Sequence, residues 1–203
     1  MRVPVRALFA LILTAGIAGC GERAPRQDSF SGQACLSALA SRGVRFESRG
    51  DLSDGSGCGV GTAVAMRGSV ADFDRPATMS CQTALAVDDF ERNVVQPAAA
   101  RYLGGPVTRI RVLSAYRCTR VNGSGRLSEH ARGHAIDIAA FTTRQGTVSV
   151  KDDWRDPGPR GQFLRAVARG ACGRFGVVLT PNTNRDHHDH FHFDTGASSL
   201  CSL

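Results

Sequence analysis

Residues 127–138 read LSEHARGHAIDI, and the separation of His130 from Asp137 within this stretch decides the fold. The two residues are seven apart, which on a straight helix spans roughly 10 Å. A single metal ion binds its ligands at about 2 Å, so no one helix can present both to it. Gly133 lies between them and permits a sharp turn. The stretch HAIDIAAF then reads as a strand, with Ile136 and Ile138 on one face and Asp137 on the other. A turn feeding a half-buried strand predicts a sheet protein with a carboxylate on one sheet face.

All six histidines fall in two segments. His130 and His134 are in the quoted stretch. His187, His188, His190 and His192 are in DHHDHFHFD, residues 186–194. If HFHFD is a strand, His190 and His192 share one face about 7 Å apart, and Phe191 and Phe193 share the other. His130, Asp137 and one histidine of this last strand then make a His2Asp set. Three nitrogen and oxygen ligands without a thiolate leave a fourth position for water, the layout of a hydrolytic zinc site. His134 is expected to bond locally. His187 and His188 are expected either to line the cleft or to sit on an exposed loop. Trp154, the only tryptophan, is expected as a core anchor, with stacking on a sugar or peptide as the other reading.

Outward from these segments, the strand expectations are VRFES, VTRIRVLSAYRC, HAIDIAAF, TVSV, VVL and HFHFD. The helix expectations are QACLSALASRG, a run from Met79 to Leu103 that Pro97 should kink or restart, and RGQFLRAVARGACGRFG. DLSDGSGCGVG reads as loop. The order is that of one α+β domain with an antiparallel sheet and flanking helices.

The N-terminus is a different object. MRVPVR is basic and ALFALILTAGIA is an apolar run of 12 residues, too short for a comfortable membrane span. Residues 1–19 are expected to be a signal peptide. The run ends in IAGC, which resembles a lipobox and implies a lipid on Cys20. Residues 20–32 are then a flexible tether and residues 33–203 the domain. Gly21 follows the cysteine, which favours the outer membrane, and the mature chain is expected on the periplasmic side of the envelope.

Six further cysteines in an exported chain predict up to three disulfides. The pairing expected is Cys35–Cys58, Cys81–Cys118 and Cys172–Cys201. Formal charge is +7, or +5 once Arg2 and Arg6 leave with the signal. Such a basic exported protein suits anionic wall polymer or lipid headgroups, and export argues against nucleic acid. We expect a monomer.

The motif S-x-H-x-x-G-x-A-x-D, here Ser128, His130, Gly133, Ala135 and Asp137, followed by the H-x-H of His190 and His192, resembles the signature of LAS zinc metallopeptidases. These are the lysostaphin, D-Ala-D-Ala peptidase and hedgehog types. LSEHARGHAIDIAAF with ACGRFGVVLTP and DHFHFD resembles more closely the bacterial extensin-like C-terminal domain family, over roughly residues 33–201. The resemblance implies a hedgehog/D-Ala-D-Ala-peptidase-like fold and Zn2+ held by His130, Asp137 and His192. It implies Arg117 as the oxyanion-stabilising group and Ser128 as a supporting residue. It also leaves two candidates for the general base, His190 and Asp189. His190 is preferred, because strand alternation turns Asp189 away from His192. The activity implied is peptidase action on peptidoglycan stem peptides or cross-links. The alternative is a zinc-containing wall-binding module that does not cut.

Overall fold

The computed structural model describes residues 27–203. The expected signal peptide, the lipid-bearing Cys20 and the first part of the tether therefore lie outside the described residues. Helix α1 (Gln27–Ser41) begins inside the stretch expected to be tether. Its C-terminal half is fastened to the core by buried Leu39 and by a Cys35–Cys81 disulfide, and that anchorage supports the turns before it.

The chain folds as α+β around one nine-stranded, mostly antiparallel sheet of order β1-β2-β3-β4-β5-β8-β7-β9, with β6 also paired to β5. The strands are β1 (Arg45–Ser53), β2 (Gly59–Gly68), β3 (Asp72–Ser80), β4 (Arg109–Ser114), β5 (Ala135–Thr143), β6 (Gly146–Ser149), β7 (Val177–Leu179), β8 (Phe191–Asp194) and β9 (Leu200–Cys201). The sheet is not wholly antiparallel: β3 pairs with β4, and β7 with β9, in parallel. Each parallel pair follows from an intervening crossover. The first passes through the helices after β3, and the second through β8 and the C-terminal loop.

Several elements depart from the sequence reading, which contained neither β3, β9 nor the short helix Val150–Asp153 and ran the β4 strand on to Cys118. The Gly/Ser-rich DLSDGSGCGVG is strand at both ends and loop in its middle, because β1 runs to Ser53 and β2 begins at Gly59. Only the tight connection between them is loop, and the ladder tolerates the glycines through register shifts on β1. The helical run read from Met79 begins two residues later. Met79 pairs with Val64 and packs in the core as strand, and Ser80 caps helix α2 (Cys81–Phe90) by accepting a hydrogen bond from the Thr83 amide. The proline expectation is met by a particular device. A π-helical stretch, Glu91–Val95, separates α2 from α3 (Gln96–Leu103), and Pro97 sits in the first turn of α3, where a missing N–H costs least.

The core lies between one face of the sheet and the helices α1, α2, α3 and α5 (Pro159–Ala171). Ile110, Phe141 and Val148 form one buried cross-strand row on β4, β5 and β6. Phe141 meets Phe163 of α5 edge-on at 5.3 Å. Phe191 and Phe193 enter the same core from β8, with Trp154 edge-on to Phe191 at 5.5 Å. Trp154 follows the short helix α4 (Val150–Asp153), is 5% exposed, and donates its indole N–H to Asn182. It is a core anchor, and the stacking alternative is excluded by its burial.

The disulfides are Cys35–Cys81, Cys58–Cys118 and Cys172–Cys201. The last matches the expectation. The first two correct it, because Cys35 on α1 packs beside the start of α2. Cys58 instead immediately precedes β2, beside the loop that carries Cys118.

Candidate metal centre

The site is assembled on the sheet face opposite the core. On β5 the flanking Ile136 and Ile138 point into the core, so Asp137 points out. On β8 Phe191 and Phe193 point into the core, so His192 points out. Register places Ser114 of β4, Asp137 of β5 and His192 of β8 side by side in one row. His130 arrives from a 3-10 turn, Glu129–Arg132, that precedes β5. Ser128 caps this turn, its hydroxyl accepting the His130 amide at 3.3 Å. Gly133 ends it in the left-handed region at φ 69°, with Ser80 donating its amide to the Gly133 carbonyl. This is the turn that the seven-residue spacing demanded. His134 is outside the centre and bonds Glu129 at 2.9 Å.

Three ligand atoms converge. His130 Nε2 is 3.2 Å from Asp137 Oδ1 and 3.1 Å from His192 Nδ1, and His192 Nδ1 is 3.0 Å from Asp137 Oδ1. The outer sides of both rings settle what the inner sides present. His130 Nδ1 donates to the Ala115 carbonyl at 2.6 Å, and His192 Nε2 donates to Asp194 Oδ2 at 3.2 Å. A neutral imidazole with one nitrogen donating has a bare lone pair on the other. With both rings neutral, two lone pairs and a carboxylate oxygen face one another in a buried triangle, an arrangement that repels itself unless a positive charge sits among them.

A tetrahedral zinc with ligands at 2.0–2.1 Å needs about 3.3 Å between them. The observed triangle is within a few tenths of an ångström of that, so these residues fit the ion. Without an ion, a proton on the His192 ring supplies that charge. Burial favours a neutral Asp137, but its close contacts with the His130 and His192 rings outweigh it and hold the carboxyl well below the usual range. Burial opposes a charged His192, yet Asp137 and Asp194 together push it up to about 9. Asp54 with Cys58 and Cys118 is the other such convergence among the described residues, and there the two thiols are spent in a disulfide.

His190 is beside the triangle rather than in it. Its Nδ1 donates to Asp189 Oδ1 at 2.8 Å, and its Nε2 is 3.8 Å from Asp137 Oδ1. Asp189 therefore turns to hold the His190 ring and is held below its usual range by that hydrogen bond. The ring of His187 lies 5.2 Å from His190 and 5.9 Å from His192, so it lines the cleft. Burial, reinforced by the neighbouring imidazoles, depresses its pKa to about 4. His188 is exposed and bonds the Arg185 carbonyl. Arg117 donates its backbone amide to the His130 carbonyl. Its side chain is exposed, makes no ion pair among the described residues, and lines a shallow cleft of about 300 Å³ with Leu113 and Tyr116. Two supporting groups escaped the sequence reading, the Ala115 carbonyl and Asp194. Asp194 had a signal: it is two residues beyond His192 on the same strand face.

No curated protein and no solved structure matches the chain. The family model for the extensin-like protein C-terminus matches residues 33–202, a span that runs from within α1 past β9 and contains every residue of the candidate metal centre. The chain belongs to the extensin-like protein C-terminus family.

Proposed function

We propose that the protein is a zinc-dependent peptidase acting on peptidoglycan stem peptides or cross-links. The observation that carries this is the convergence of His130 Nε2, Asp137 Oδ1 and His192 Nδ1, with a fourth group, His190, held beside them by Asp189. Only three ligand groups meet at this centre among the described residues, which is the layout of a catalytic rather than a structural zinc. The resemblance of the same residues to LAS metallopeptidases supports the assignment.

A bound zinc supplies a Lewis acid for the scissile carbonyl and lowers the pKa of a water to about 7. The chain's own residues do the rest. Asp189 fixes the Nδ1–H tautomer of His190, leaving Nε2 bare on the open side of the centre. His190 is the general base: Nε2 accepts the proton of the attacking water and returns it to the departing amine. Asp189 is a positioning residue, which reverses the other candidate assignment. Arg117 has no competing carboxylate among the described residues and is assigned to the developing oxyanion. Ala115 and Asp194 hold the two ligand rings in the tautomers that bind. A periplasmic location on a lipid at Cys20 fits a wall substrate.

The test is release of defined fragments from purified sacculi by the zinc-loaded protein. His190→Ala is expected to retain zinc and lose at least a hundredfold in rate, while His130→Ala loses both. Full zinc with no cleavage by the wild type rejects the peptidase. One geometric feature favours a second reading, a zinc-containing wall-binding module: a modest shift of His190 would bring its Nε2, 3.8 Å from Asp137, in as a fourth ligand and close the site.

A further inference from the structure

A second cleft, of about 480 Å³, opens on the same sheet face as Asp137 and His192. Its floor is two cross-strand rows on β4, β5 and β6: Arg109–Thr142–Thr147 and Arg111–Ala140–Ser149. A bulge in β5 puts them there. Val112 pairs with Ile138 and Arg111 with Ala140, so Ala139 is an extra residue. Strict alternation would have put Phe141 on the Asp137 face. The extra residue sends Phe141 into the core and brings Ala140 and Thr142 onto the open face.

The cleft holds charges of both signs, and they differ in how far they are engaged. Asp153 is gripped by Arg160 through two contacts, at 2.8 and 2.9 Å. Asp74 accepts the Val112 amide at 2.8 Å and lies 3.7 Å from Arg75. Asp152 is exposed and makes no ion pair among the described residues. Arg109 and Arg111 are exposed, have no ion pair among the described residues, and sit on alternate positions of one strand about 7 Å apart. Two unengaged guanidiniums over a hydroxyl-lined floor make a site for carboxylate, where each planar fork can take two oxygens. Along β5, Ala140 and Thr142 lie roughly 10–16 Å from Asp137. An extended peptide covers that distance in about three to five residues.

We propose that Arg109 and Arg111 form a subsite for a carboxylate of an extended acidic peptide, three to five residues from the metal centre. The substrate orientation this implies rests on the peptidase reading, whereas the carboxylate binding does not.

The test is calorimetry on the full chain in chelator, so that turnover does not consume the probe. The probe is the tetrapeptide Ala-D-Glu-Lys-D-Ala with both carboxylates free, compared with its fully amidated twin. The free form is expected to bind at least tenfold more tightly. Arg109→Gln with Arg111→Gln should abolish that preference. The charge-matched control, Arg101→Gln with Arg169→Gln on α3 and α5, should keep it. Equal binding of the two peptides, no binding of either, or a preference that survives in the Arg109/Arg111 variant overturns the proposal. Absence of sacculus cleavage alongside an intact carboxylate preference would sink the peptidase and leave the subsite standing.

Discussion

His192 is held from two sides, with Nδ1 toward Asp137 and Nε2 on Asp194. Carboxylates behind metal-binding imidazoles raise ligand basicity and fix the ring. Asp194→Asn keeps the shape and removes the charge, so zinc affinity is expected to fall about 10- to 100-fold in a chelator competition. An unchanged affinity would mean that Asp194 serves the sheet and not the metal. A different buried acid, Glu91, predicts the pH dependence of stability. It is fully buried, accepts the Ala71 amide, and has one carboxylate oxygen without a partner among the described residues. Burial pushes its pKa up from 4.5 to about 7. The folded state therefore binds this proton more tightly than the unfolded chain does. Stability from Glu91 is fully present below about pH 4.5 and is lost as pH rises to about 7, by up to about 3 kcal/mol. Denaturant melts from pH 5 to 8 should show that decline, and Glu91→Gln should flatten it.

At the scale of elements, the 3-10 turn and its glycine determine whether His130 meets Asp137. A Cβ on Gly133 would stand 2.6 Å from Val60 Cγ1, 2.7 Å from Cγ2 and 3.0 Å from the Ser80 amide. Val60 is buried and branched and cannot swing aside, and the residue is in the left-handed region besides. Gly133→Ala is expected to cost about 2 kcal/mol or more by thermal or urea unfolding, and to weaken zinc binding as the turn shifts. Wild-type zinc affinity in a destabilised Gly133→Ala would separate the turn from the site. This turn was legible in the sequence, because a seven-residue spacing with a glycine inside admits few other paths. The β-bulge at Ala139 was not. Nothing in HAIDIAAF distinguishes a bulged strand from a regular one until β4 supplies the partner.

For the whole molecule, the formal charge of +7, or +5 without Arg2 and Arg6, and the open-face arginines that make no ion pair among the described residues make long-range attraction to an acidic polymer the expected first encounter. Binding to purified sacculi should weaken severalfold between about 50 and 500 mM salt, as the screening length shrinks to a few ångströms. Salt-independent binding in a pelleting assay would assign retention to short-range contacts alone. Helix positions, the two histidine segments and the α+β class were readable from period and composition, since each depends on residues near one another in the chain. The strands around Cys58 were hidden, because glycine-rich segments carry weak strand preference and pair only when neighbours hold them.

By itself, the sequence determined that His130 and Asp137 lie on either side of a turn, that His192 lies on the strand face opposite Phe191 and Phe193, and that the chain belongs with extensin-like domains; His190, expected on that strand, precedes it. Local geometry suffices for the first two, and a long ordered motif for the third. Tertiary structure decided the rest. It brought His192 against Asp137 across 55 residues, paired Cys35 with Cys81 and Cys58 with Cys118, turned Asp189 onto His190, and laid Arg109 and Arg111 on the open face of the site. Each of these depends on which strands become neighbours and in what register, a choice settled by burying Ile136, Ile138, Phe141, Phe191 and Phe193 together.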